Sequence, residues 1–430
     1  MNSIQDGLIP FLQEAVSPFH AVQAAANRLR RAGFEELALG ADWLLQPGRS
    51  YYVRAFGSSL LAFRLGKQPR RRLHLAAAHT DFPCLRVKPH PVLRTREYGT
   101  LNVEVYGGMI RSSWLDRPLS MAGKIVLAAE DVYRPEVRLV DLGRPVVTIP
   151  HLAIHMNRSV NEGETLNPQK DMLPLFALLP GCREGASEED AFLDFLAEEC
   201  GLLRSRILAY ELTAYPTDPP CLLGAHQEFL SASRLDNMTS VYACLDGLIG
   251  AEETEGVCGI ALFDHEEVGS RTKQGAASML APDILHRIYS ALGFSESEAR
   301  ADISRGFMLS LDVAHAVHPN VPEKNDPTNF PRLGGGVTLK MACSQAYAGD
   351  AEAAAVIRGL CRREKIPCQS FLNRSDLRGG STLGAMLSAN MPIRTMDIGV
   401  PILAMHSARE TMGAEDQQAL QRLVRAFFSR

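Results

Sequence analysis

Apolar and polar positions along this chain follow one rhythm at its two ends and another in its middle. Near the N-terminus, Ser17-Pro18 predicts a helix start. Val22, Ala25 and Leu29 fall on one face of it, and Gly33 is its stop. Tyr51 to Arg54 and Ser59 to Arg64 alternate or run apolar, as strands do. Leu73 to Ala78 is apolar apart from His74 and predicts a strand covered on both faces; it stops at His79-Thr80-Asp81.

From about Pro89 to Tyr215 the texture changes. Leu101 to Tyr106, Lys124 to Ala128, Val137 to Val140 and Val146 to Ile149 are short β-type segments set apart by Gly, Pro, Asp and Asn. Helices are expected near Met172 to Leu179 and Glu188 to Leu202. After about Cys221 the first rhythm returns. Helices are predicted from Asn237 towards Ile249, over Ala351 to Glu364, from Ser381 to Leu387 and from Glu415 to Phe428. Strands are predicted at Val257 to Phe263, Phe307 to Leu311, Val337 to Ala342 and Arg394 to Ile398. Strands that alternate with helices imply an α/β fold with a mostly parallel sheet flanked by helices. Residues 1–88 and 216–430 would form this discontinuous domain, and 89–215 an inserted β-rich domain. No internal repeat is present.

The length of 430 residues fits two domains. A formal net charge of -4 and the lack of a long basic run give nucleic acid no footing; Arg70-Arg71-Arg72 reads as a solvated strand entry. No run of about 18 apolar residues occurs, so no membrane partner is expected. Met1 to Asp6 has no basic or apolar leader character. The nine cysteines are scattered with no Cys-x-x-Cys pair, which fits free thiols in a cytoplasm.

In open α/β sheets, ligands gather beyond the carboxyl ends of strands. His79 and Asp81 follow one predicted strand, Asp264-His265-Glu266-Glu267 another, and Asp312 and His315 a third. Asp236 precedes a helix, and His406 lies in a loop after Pro401. Each alone could be a helix cap or a solvated loop residue. Together they form a set of imidazoles and carboxylates suited to zinc, manganese or cobalt. On a turning backbone the neighbours Glu266 and Glu267 can divide their labour, one on a metal and one on a water.

His79-Thr80-Asp81, Ser233-Arg234-Leu235-Asp236-Asn237, Asp264-His265-Glu266-Glu267-Val268-Gly269, Asp312-Val313-Ala314-His315, His318-Pro319-Asn320 and Met405-His406-Ser407 resemble, in order and spacing, the motif series of the M18 aminopeptidases, the aspartyl aminopeptidase family. The resemblance runs from Ser17-Pro18-Phe19-His20 to the C-terminal helix. It implies a peptide hydrolase acting on free N-termini, with two divalent metal ions, zinc by first choice and manganese or cobalt otherwise. Asp236 would bridge the ions, with His79 and Asp312 at one and Glu267 and His406 at the other. Glu266 would be the general base, and Asp81 would hold His79 by its second ring nitrogen. His155, in Ile149-Pro150-His151-Leu152-Ala153-Ile154-His155, would reach substrate in a neighbouring subunit, with His151 structural. Lys340 and Tyr347 would line an acidic-side-chain pocket. The resemblance also implies a homo-oligomer, a dodecamer built from dimers. A related two-metal deacylase or carboxypeptidase, or a scaffold that has lost its chemistry, are the competing expectations. The second would show decay of the ligand set, and none is visible.

Overall fold

The computed structural model describes residues 4–70, 72–163, 165–179, 188–252 and 255–429. Met1 to Ser3 of the N-terminal segment and Arg71 of the basic cluster lie outside the described residues. Packing divides the chain into two units. Met1–Phe82, Pro220–Met405 and Glu410–Arg430 make one; Pro83–Pro219 and His406–Arg409 make the other.

The first unit is built on a nine-stranded mixed sheet. Its middle is three adjacent parallel strands in the order Val257–Phe263, Leu73–His79, Phe307–Leu311. Arg394–Gly399 continues beside the last of these in parallel. Beyond it come Val337–Lys340, antiparallel, and Cys368–Phe371. Ser59–Leu65, Ser50–Ala55 and Glu35–Leu37 complete the other edge. The Val257–Phe263 strand is buried at every position, which is why its sequence is one unbroken apolar run.

Alternation along the His79 strand assigns its side chains to two layers. Leu73, Leu75 and Ala77 join a core with Ile284, Leu285 and Ile288 of helix Leu280–Ala291, Ile303 of helix Glu296–Arg305, and Leu383 and Leu387 of helix Leu383–Asn390. Ala76 and Ala78 are buried on the other face, where helix Leu235–Ile249 packs. Small alanines there let that helix come close, and its own N-terminus is thereby fixed over the strand ends. A second, five-stranded sheet joins Cys221–Leu223, Phe229–Ala232, Glu410–Gly413, Pro401–Leu403 and Ala314–His315.

The second unit is a six-stranded antiparallel sheet with strands Cys84–Thr95, Tyr98–Tyr106, Leu119–Leu127, Glu136–Asp141, Leu175–Leu178 and Ile207–Pro216. Helix Glu188–Cys200 belongs to it. Two expectations are corrected here. The segment near Met172 to Leu179 is not a helix; Leu175–Leu178 is an edge strand paired with Tyr98–Tyr106. Val146 to Ile149 is not a strand but two isolated bridges, Val147 to Leu119 and Thr148 to Leu175. Pro145 and Pro150 flank it and lack the N–H that a longer ladder would need. No helix among the described residues is long and apolar enough to cross a membrane.

Candidate functional site

The three central strands end together and leave acidic residues and a histidine beyond their carboxyl ends. His79 is the last residue of its strand and is buried. Its Nδ1 donates to the Asp81 carbonyl at 3.0 Å and lies 3.3 Å from the Asp81 Oδ1. That donation keeps a proton on Nδ1, so Nε2 is the nitrogen that a cation could take. Nε2 faces Asp236 Oδ1 at 3.2 Å and Asp312 Oδ1 at 3.7 Å. Ligand atoms of His79, Asp236 and Asp312 all lie within 4.8 Å of one another. Those of His79, Glu266 and Glu267 do the same.

Local geometry explains how each side chain arrives. Asp236 sits at the start of helix Leu235–Ile249, where Asp236 and Asn237 depart from helical angles. Asn237 Nδ2 donates to the Leu311 carbonyl at 2.8 Å, tying this turn to the end of the Asp312 strand. The Asp236 N–H donates to Glu410 Oε2 at 3.1 Å. Glu266 and Glu267 open a short 3₁₀ turn, Glu266–Val268, entered through His265 at φ 63°. A left-handed conformation at a non-glycine residue costs free energy and clusters at functional sites. Arg234, just before Asp236, is left-handed too, at φ 62°. The turn is held from below. The Glu266 and Glu267 N–H groups donate to Asp81 Oδ1 and Oδ2, each at 3.1 Å.

Five carboxylates, from Asp81, Asp236, Asp312, Glu266 and Glu267, thus converge around one imidazole. Lys340 is a further cation, bonded to one of them. Lys340 Nζ donates to Asp312 Oδ2 at 3.1 Å and to the Val313 carbonyl at 2.8 Å. Burial opposes charge on Lys340, but Asp312 and Asp397 outweigh it and hold the lysine above its usual value. Burial likewise raises the Asp312 carboxyl, and the Lys340 ammonium pulls it below the usual range. Burial drives the imidazole of His79 down, and its bonds to Asp236, Asp312 and Asp81 more than reverse this. Burial pushes Glu266 up to about 8; His79 opposes, while Asp312, Asp81 and Asp236 add to the rise. So many like charges at this separation repel strongly and call for cations among them. An imidazole Nε2 aimed between two carboxylates is the donor set of a zinc-type ion.

The remaining expected residues are placed as follows. His406 is half-buried, in the loop between strands Pro401–Leu403 and Glu410–Gly413. Its Nδ1 donates to the Gly108 carbonyl at 3.1 Å, which leaves Nε2 as the lone-pair nitrogen of the neutral ring. His155 is exposed in the second unit, in a loop with the exposed Leu152, Ile154 and Met156. His151 is held by Asp116, its Nδ1 2.5 Å from Asp116 Oδ2 and its backbone N–H bonded to Oδ1 of the same residue. Tyr347 is buried, with the Lys340 Nζ 4.8 Å from its ring centre. Sequence reasoning missed Glu410 and Asn237 as supports of Asp236. Asn237 sits inside a quoted motif, but nothing in the sequence near Arg409-Glu410-Thr411 marks Glu410 as a partner of position 236.

A family model described as aminopeptidase I zinc metalloprotease (M18) matches residues 11–428. The chain is 39% identical over 425 residues to a probable M18 family aminopeptidase 2 of Clostridium novyi, covering 98% of each. Its fold is similar to that of an M18-family aminopeptidase from Thermotoga maritima, with TM-score 0.85, 25% identity, and 98% and 94% of the two chains covered. It is also similar to the S. cerevisiae mApe1 dodecamer, with TM-score 0.84, 26% identity, and 98% and 95% covered.

Proposed function

We propose, on the premise that this chain belongs to the M18 peptidase family and is a metalloaminopeptidase, that it removes single residues, acidic ones by preference, from peptides with a free α-amine. The observation that supports this best is the cluster of His79, Asp236 and Asp312 beside the Glu266-Glu267 turn. His79, Asp236 and Asp312 would hold one divalent ion. Asp236, Glu267 and His406 would hold a second, an assignment that rests on the motif resemblance. Zinc is the first choice, and imidazole and carboxylate donors also accept manganese or cobalt.

When bound, the ions polarise the scissile carbonyl and make a water acidic enough to attack near neutral pH. Glu266 takes the proton of the attacking water on its carboxylate and delivers it to the leaving amine. A base raised towards neutrality can both accept and return a proton, and burial raises Glu266 in that direction. Asp81 positions His79 and the Glu266-Glu267 turn together. The substrate α-amine would rest against the carboxylates, which restricts cleavage to the first peptide bond. His155 would reach the site of a neighbouring copy and donate to the developing oxyanion. Its exposure on a loop with apolar neighbours supports a role across a subunit contact. The inserted unit would make dimers that build a larger homo-oligomer; the similar yeast mApe1 is a dodecamer. Its place of action would be the cytoplasm.

The test is metal content measured beside hydrolysis of Asp-, Glu-, Leu- and Lys-amides, each with a free and an acetylated N-terminus. About two ions per chain, cleavage only of free N-termini and a preference for Asp or Glu are expected. Cleavage of acetylated substrates would instead support a deacylase, and full activity without metal would remove the mechanism.

A further inference from the structure

Two cysteines stand at the two ends of one short connection. Cys361 is in the last turn of helix Ala351–Glu364, and Cys368 is the first residue of strand Cys368–Phe371. One contact sets the register of helix against strand: Arg358 Nη2 donates to Ser370 Oγ at 3.0 Å. Three residues on from Arg358, along the same helix face, is Cys361. Two residues back from Ser370, on the same strand face, is Cys368. Both steps run towards the connection, so the two thiols are brought opposite each other. They are hydrogen-bonded, the Cys361 thiol donating to the Cys368 sulfur. The connection is tight. Lys365 turns it at φ 53°, and the Ile366 N–H returns to the Cys361 carbonyl at 2.8 Å.

We propose that Cys361 and Cys368 are a reversible redox pair, closed into a disulfide by exchange with an oxidised low-molecular-weight thiol. The two sulfurs have unequal parts. Cys361 is 2% exposed and Cys368 half-buried, so Cys368 is the thiol that solvent reaches. The hydrogen bond from Cys361, helped by the Arg358 guanidinium, outweighs burial and holds the Cys368 thiol below its usual value. The same bond and burial hold Cys361 up. The Cys368 thiolate attacks one sulfur of the small disulfide and expels the first small thiolate. Cys361 then gives up its proton, attacks the Cys368 sulfur and expels the second. Two small thiols carry away both protons and the two electrons, and excess reduced thiol reverses each step. The bond pins the first residue of the strand at one edge of the nine-stranded sheet, which pairs with Val337–Lys340. The pair is separate from the cluster of His79, Asp236 and Asp312.

The experiment incubates the metal-loaded full chain with glutathione disulfide at graded ratios to reduced glutathione, quenches it by alkylation and digests it with trypsin. Arg362, Arg363 and Lys365 place cleavage sites between the two cysteines. The disulfide should therefore join two peptides that are otherwise separate, at a combined mass lower by two hydrogens, and dithiothreitol should part them. In Cys361→Ala, Cys368 should keep the small thiol as a mixed disulfide. In Cys368→Ser, Cys361 should stay unmodified while the chain is folded. Oxidation should raise the melting temperature of the wild type and of neither variant. A wild type whose joined peptides never form, even in glutathione disulfide alone, would overturn the proposal. So would a mixed disulfide on Cys361 in the folded serine variant, because the buried thiol would then be the one attacked. No readout uses hydrolysis, so failure of the peptidase reading would leave all of them in place.

Discussion

Asp81 Oδ1 accepts the backbone N–H of Glu266 at 3.1 Å, joining two segments 185 positions apart. The same oxygen lies 3.3 Å from His79 Nδ1. One carboxylate thus ties His79, the proposed ligand, to the turn that carries Glu266, the proposed general base, and the two cannot drift independently.

Replacing it should loosen both. In Asp81→Ala, the two N–H groups of the Glu turn lose their acceptor, at about 1–3 kcal/mol each if they stay buried. Metal affinity should fall about 10- to 100-fold, as for other outer supports of a ligand histidine. Metal titration and thermal unfolding should show both losses, with Asp81→Asn intermediate because it keeps one oxygen. Undiminished metal affinity in the alanine variant would mean that the Asp81 carbonyl alone positions His79.

The adjacent glutamates should separate cleanly. Glu266→Gln should keep its metal and lose at least about a hundredfold in kcat, the usual contribution of a general base. Glu267→Gln should lose metal as well as turnover. Metal analysis of the two purified variants decides it. The opposite pattern would exchange their roles.

Lys340 has a different signature. If it positions Asp312, Lys340→Met should depress kcat/KM by a similar factor for Glu-, Asp- and Leu-amides. Breaking a buried pair by removing one partner costs about 3–5 kcal/mol, so the melting temperature should drop too. A loss confined to acidic substrates would place Lys340 in the side-chain pocket, the role the motif resemblance implies.

Away from the site, His74 should govern part of the acid limb of stability. Its ring stacks on Phe427 at 4.6 Å, and its Nδ1 donates to the Phe427 carbonyl at 2.9 Å. Burial, helped by Arg72 and opposed by that bond, depresses the imidazole from 6.5 to about 4. The unfolded chain therefore binds a proton that the folded one resists, and stability falls as pH drops from 6.5 towards 4. His74→Gln should flatten the melting temperature against pH over that window. An unaltered slope would assign the acid limb to other groups.

Much of the catalytic unit was legible because its central strands are buried on both faces. Val257–Phe263 carries its fold in an unbroken apolar run, and Phe307–Leu311 in one interrupted only by Ser310. The Leu175–Leu178 strand was not legible, since a short apolar run has no period of its own. Helix Glu296–Arg305 was overlooked although Ser295 and Glu298 form a capping box, a signal visible in sequence. At the site, His79, Asp236 and Asp312 could be named because strand-end carboxylates and histidines cluster in few ways. The engagement of Lys340 could not, because its partner lies 28 positions away and only the insertion of Arg394–Gly399 between their two strands brings them together.

The proposed ligands of a first ion stand at positions 79, 236 and 312, each on or beside a different element of the sheet and its helix layer. A chain still emerging from the ribosome cannot present all three until the Phe307–Leu311 strand has docked beside Leu73–His79. Peptidase activity is therefore withheld from every shorter nascent fragment. On this assignment the enzyme cannot attack free N-termini around it until at least 312 of its 430 residues have been made.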